Sequence, residues 1–131
     1  MKIEEKACGC IIIENNKVLL IKQISKAWGF PKGHVEHDET EEETAKREVK
    51  EETNIDVEIN SKKRYEIHYM TDKGKYKEVV YFLAKNIGGN LKKQDSEILE
   101  AKWVDTREAL EILSYENIKE LYKKVLKENN L

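Results

Sequence analysis

The sequence predicts one α/β (α+β) domain over residues 1–131: a mixed β-sheet sandwiched between α-helices. Three observations predict it. Apolar runs of strand length lie on both sides of one strongly capped helix, turn residues separate the runs, and a second amphipathic helix closes the chain. A length of 131 residues suits one domain with a core that needs no disulfide or metal staple.

The elements follow in order. Ala7 to Glu14 and Lys17 to Ile24 read as strands joined by Asn15-Asn16, a pair that accepts the positive φ angles of a tight hairpin. A loop from Ser25 to Asp38 holds Trp28, Gly29, Gly33 and the only proline, Pro31. Thr40 and Glu43 have the spacing of a capping box and start a helix that runs to about Thr53. Ile55 to Ile59, Arg64 to Met70 and Tyr76 to Lys85 are three more strands, with Thr71-Asp72-Lys73-Gly74 turning the last two into a hairpin. Gly88-Gly89-Asn90 opens a loop, and Leu99 to Val104 is a final strand. Thr106 caps a short helix through Leu113, and Ser114 caps the last one. There Ile118, Leu121, Tyr122, Val125 and Leu126 recur at helical spacing, a stripe for core packing or for an oligomer contact.

Composition excludes several classes. A net charge of -2 gives no long-range pull toward nucleic acid or an anionic membrane, so no stable nucleic-acid partner is expected. Lys62-Lys63-Arg64 is the densest basic cluster, and it is short enough to be a solvated strand end. Cys8 and Cys10, two apart in a strand, point to one face and cannot easily bridge. Without further cysteines or a neighbouring His pair they form no zinc set, and read as core thiols in a reducing compartment. Met1 to Lys6 lacks an apolar signal region and no stretch reaches membrane-spanning length, so the expected location is the cytoplasm.

The capped helix carries the chemistry. At about 100° per residue, Ala45 and Val49 define an apolar stripe. Glu52 falls on that stripe, Glu48 beside it and Glu51 a little further round, while Lys46, Arg47 and Lys50 occupy the other side. A solvated helix would place its acids away from the buried face. Carboxylates on one flank repel, costing about 0.2–0.5 kcal/mol per neighbouring pair, and partial burial raises the cost. A hard divalent cation, Mg²⁺ or Mn²⁺, would remove it.

From Gly33 the chain reads Gly, five residues, Glu39, seven residues, then Arg47-Glu48-Val49-Lys50-Glu51-Glu52-Thr53-Asn54-Ile55. This string resembles the Nudix box, the signature of hydrolases that cut a nucleoside diphosphate linked to another group. The resemblance implies a mixed sheet between helices with the box as loop–helix–loop. It implies that Glu48, Glu51 and Glu52 bind divalent metal, joined by the backbone carbonyl of Lys32, and that Arg47 orients them while Glu39 supports the loop. A further acid from a later loop is expected, with Glu97 favoured over Asp95 and Glu100. Asn54 stands where the family has glycine, and Asp38 where many relatives do. Both residue types tolerate left-handed backbone. The implied mechanism is metal-assisted water attack on phosphorus with a carboxylate as base, Glu51 before Glu48 and Glu97.

Two flanking stretches narrow the substrate. Trp28 followed by Pro31-Lys32-Gly33-His34-Val35-Glu36, and Lys77-Glu78-Val79-Val80-Tyr81-Phe82, resemble the diadenosine tetraphosphate hydrolase branch. The resemblance nominates Lys32 and Lys77 for the polyphosphate and Tyr81 for stacking on adenine. Tyr81 also alternates with Val80 and Phe82 as a plain sheet residue would. Phe30 reads as core, His34 as structural or substrate-contacting, and His68, Tyr69 and Tyr76 as further aromatic candidates. The expected reaction splits diadenosine tetraphosphate into ATP and AMP. Pyrophosphate removal from RNA 5′ ends, hydrolysis of ADP-ribose-type diphosphates, and a non-catalytic nucleotide-sensing module are the alternatives; the last would have lost box acids.

Overall fold

Asn15 and Asn16, at φ 50° and 62°, turn the chain between β1 (Glu5–Glu14) and β2 (Lys17–Gln23) as the tight hairpin requires. The computed structural model describes all 131 residues. After β2 come β3 (Trp28–Gly29), β4 (Lys32–His34), α1 (Glu41–Thr53), β5 (Asp56–Met70), β6 (Tyr76–Gly88), β7 (Ile98–Asp105), α2 (Ala109–Ile112) and α3 (Glu116–Glu128). No helix is long and apolar enough to cross a membrane.

The sheet order is β3-β2-β1-β6-β5, with β4 added on β1 and β7 on β2. Only β1 and β6 run parallel, which makes the sheet mixed. Alternate residues of β1 face opposite layers. Cys8, Cys10 and Ile12 pack with Ala45 and Val49 of α1, whereas Ala7 and Ile11 join the core under α3. The stripe Ile118, Leu121, Tyr122, Val125 and Leu126 is wholly buried in this second core, so it serves packing. Each buried aliphatic chain there contributes about 1.5–3 kcal/mol over remaining exposed. Both cysteines are free and buried, and burial raises their pKa, Cys8 to about 11.

Several local expectations need correction. The stretch expected as a loop holds β3 and β4, each too short to show periodicity. Residues 56–59 and 64–70 belong to one outer strand, β5, whose pairing with β6 is irregular between Ile59 and Arg64. The left-handed residue before the box helix is His37, at φ 48°, not Asp38. Asn54, at φ 66°, does close α1 in the left-handed conformation. Neither Thr106 nor Ser114 caps a helix. Thr106 is buried, and the Ser114 hydroxyl accepts the Trp28 N–H at 2.8 Å.

Candidate active site

The capping box sets where α1 starts and therefore where its acids fall. Thr40 Oγ1 accepts the Glu43 N–H at 3.1 Å, and the Glu43 carboxylate accepts the Thr40 N–H at 2.8 Å. Two to three turns on, Glu52 lies on the buried stripe with Val49, only 7% exposed, Glu48 is half-buried and Glu51 is exposed. Glu52 Oε1 accepts the Lys32 N–H at 3.1 Å, which ties helix to β4. Gly33 rests directly on Glu48, and a Cβ there would overlap its carboxylate. This close approach, not turn geometry, accounts for the glycine.

Arg47 locks the loop to the helix. Its Nε and Nη2 hold the two oxygens of Glu39 at 2.6 and 2.9 Å, and Nη2 also reaches the His34 carbonyl at 3.0 Å. Nη1 contacts Glu48 at 2.9 Å and Glu51 at 3.1 Å. The angular reading that put Arg47 with the outward lysines fails because its long side chain folds back over the acids. Glu39 also accepts from the Glu36 N–H and the Thr44 hydroxyl. The Arg47 hydrogen bonds lead in lowering its pKa to about 2.

The acids facing one another are costly. Burial, then the charge of Glu48, pushes the Glu52 carboxyl up to about 8. Glu48 is raised as well, by burial first and against the pull of Arg47. Asp95 adds to both shifts through its charge. Glu48, Glu51, Glu52, Asp95 and Glu97 line one cleft of about 710 Å³ together with Lys32, His34 and Lys77. An all-oxygen donor set whose members raise each other's pKa fits a hard divalent cation.

A second cleft of about 410 Å³ adjoins the first. Trp28, Phe30, Tyr69, Met70, Tyr81 and Tyr115 supply its apolar walls, and Lys32, Lys77 and Gln23 line both clefts. Lys32 is held near pKa 8 by burial and by the ammonium of Lys77.

A NUDIX domain model matches residues 4–126. The chain belongs to the Nudix family. As a Nudix hydrolase it acts on phosphorus-containing acid anhydrides, and hydrolases of this family generally use divalent metal ions. It is 32% identical over 130 residues to the asymmetrical bis(5'-nucleosyl)-tetraphosphatase of Mus musculus, covering 87% of this chain and 88% of that one. The crystal structure of a C. elegans Ap4A hydrolase binary complex superposes with a TM-score of 0.81 at 32% identity, over 93% of this chain and 95% of that one. A NUDIX hydrolase from Nitrosomonas europaea also gives 0.81, at 27% identity, over 99% and 74%. A longer Mycobacterium tuberculosis protein is 40% identical over 90 residues, 67% of this chain but only 36% of its own length.

Within this Nudix fold the nominated residues fall into three groups. Arg47, Glu48, Glu51, Glu52, Lys32, Lys77 and His34 gather around the acid cleft. His34 as a whole stays solvent-accessible, while partial desolvation of its ring and then the charge of Lys77 lower its pKa. Glu97 lies on the cleft wall but is exposed, whereas Asp95 is half-buried and is the acid whose charge reaches Glu48 and Glu52. Glu100 pairs with Lys22 along β7, outside the cleft. Tyr81 is 1% exposed, edge-on to Phe30 at 5.5 Å, and forms the cleft floor with no open face. Sequence reasoning missed Met70, Tyr115 and Asn117, which join the cleft from β5 and the start of α3. Among the further aromatic candidates only Tyr69 lines it.

Proposed function

We propose that this Nudix hydrolase cleaves diadenosine tetraphosphate asymmetrically into ATP and AMP. One observation carries the reading: an aromatic cleft and an acid cleft share Lys32 and Lys77 as a common wall. One nucleoside enters between Tyr69 and Tyr115 over the Tyr81 floor, and the polyphosphate runs past the two ammonium groups toward Glu48, Glu51 and Glu52. Anchoring one base sets which phosphorus reaches the acids, and unequal products follow. The similarity to asymmetrical tetraphosphatases over most of both chains supports this branch.

Glu48, Glu51, Glu52 and the Lys32 carbonyl would hold Mg²⁺ (or Mn²⁺), with Asp95 or Glu97 supplying the further acid. When bound, such an ion lowers the pKa of water and neutralises charge on phosphate oxygens. Arg47 keeps Glu48 and Glu51 in place, and Glu51, the most solvent-accessible of the three acids, takes the proton from the attacking water.

The test is product analysis by anion exchange after incubation with diadenosine tetraphosphate and Mg²⁺. ATP and AMP in equal amounts are expected. Two ADP would refute the asymmetry. No cleavage by folded protein would overturn the substrate and move the search to RNA 5′ ends and ADP-ribose.

A further inference from the structure

A separate cluster lies on the α1 face of the β5–β6 hairpin, at the opposite end of α1 from Glu52. Glu66 and His68 are two apart on β5 and so share a face, and His68 pairs directly across from Glu78 on β6. One ligand atom from each lies within 4.8 Å of the other two. Glu78 is 7% exposed, and its Oε2 sits 2.9 Å from His68 Nε2. The His68 ring is stacked on Tyr76 at 5.9 Å, which fixes its direction.

Two cations flank the cluster. Lys6 binds Glu78 through Oε1, at 3.2 Å, and Arg64 binds Glu66 through Oε2, at 2.7 Å. Both also bind Glu41, at 2.6 and 2.8 Å, and thereby hold the cluster against the first turn of α1. Glu78 Oε2, His68 Nε2 and one oxygen of Glu66 can therefore converge on one point while Lys6 keeps the other oxygen of Glu78. None of the three residues lines the acid cleft, and Glu41 precedes Glu48 by about 10 Å of helix rise.

We propose that Glu66, His68 and Glu78 form a second divalent-cation site of one imidazole and two carboxylates on rigid, paired strands. The nitrogen ligand selects ions of the Zn²⁺ or Co²⁺ class over Mg²⁺, which separates this site from the all-oxygen acids of the box. In binding, the ion takes the place of the hydrogen bond between His68 Nε2 and Glu78 Oε2, and the neutral imidazole carries its one ring proton on Nδ1.

The test uses metal-stripped full-length protein titrated with Zn²⁺ under excess Mg²⁺, followed by calorimetry and by the imidazole NMR resonances of His68. One Zn²⁺ per chain should bind, with the His68 resonances shifting to saturation at one equivalent. Glu52→Gln should leave this event unchanged, while His68→Ala and Glu78→Gln should weaken it by at least about tenfold. Unmoved His68 resonances in the wild-type protein would overturn the site without needing any variant. Equal Zn²⁺ affinity in His68→Ala and wild type would do the same. Diadenosine tetraphosphate turnover enters neither readout, so the two proposals fail independently.

Discussion

Replacing Glu52 with Gln should abolish activity and yet stabilise the metal-free protein. The carboxyl titrates near 8 in the folded chain against 4.5 as its ordinary value, because it is buried beside Glu48. Between those two values the folded state holds more proton than the unfolded state, so stability falls as pH rises through the window. A shift of about 3.5 units at about 1.36 kcal/mol each sets a ceiling of about 5 kcal/mol at pH 8. Glu48 shares the titration, so about 2–4 kcal/mol is the expected gain from one substitution. Gln keeps an oxygen for the Lys32 N–H and loses only the charge. Thermal unfolding in EDTA at pH 5 and pH 8 measures it. The variant should melt close to wild type at pH 5 and about 10 °C higher at pH 8, and Mg²⁺ should raise the melting temperature of wild type alone. Parallel melting curves at both pH values would refute the burial argument, and retained turnover would refute the metal assignment.

Gly33→Ala should cut kcat by about 100-fold or more while circular dichroism stays native, because the new methyl overlaps the Glu48 carboxylate and displaces it. A near-normal kcat would show that Glu48 need not sit where it does. Arg47→Lys should lower kcat at least about tenfold and require more Mg²⁺, since an ammonium cannot span Glu39, Glu48, Glu51 and the His34 carbonyl together. Unchanged metal dependence would count against that role. Tyr81→Ala should cost about 3–5 kcal/mol in urea unfolding, a core effect, whereas Tyr81→Phe should leave stability and KM nearly as they were. A several-fold rise in KM for Tyr81→Phe alone would place the hydroxyl on substrate.

The helix and its acids were legible because both depend on short-range rules. Thr40 and Glu43 mark its start three residues apart, Ala45, Val49 and Glu52 share one face by helical period, and Asn54 ends it left-handed. The aromatic cleft was much less so. Tyr69 and Met70 reach it through the long pairing of β5 with β6, and Tyr115 through the path that docks α3, so no window of sequence brings them to Lys32. The two mistaken caps lose to neighbours: the Ser114 hydroxyl accepts the Trp28 N–H, and Asp105 Oδ1, not Thr106, accepts the N–H groups of Arg107 and Glu108. Asp95 and Glu97 lie two residues apart and look alike as text, and only burial separates them. Arg47 shows the limit of angular maps, which place a Cα well and the end of a long side chain poorly.

The outer position of β5 has a consequence for life at high concentration. A strand of fifteen residues at a sheet edge offers a row of backbone donors and acceptors on which another chain can add itself. Here the row is broken midway, where the pairing slips between Ile59 and Arg64, and Lys62 and Lys63 put two positive charges at the break. Two identical edges brought together would meet charge against charge where the pairing is irregular. The same irregularity that looks, from within the fold, like a flaw in the strand thus works against edge-to-edge addition of a second chain.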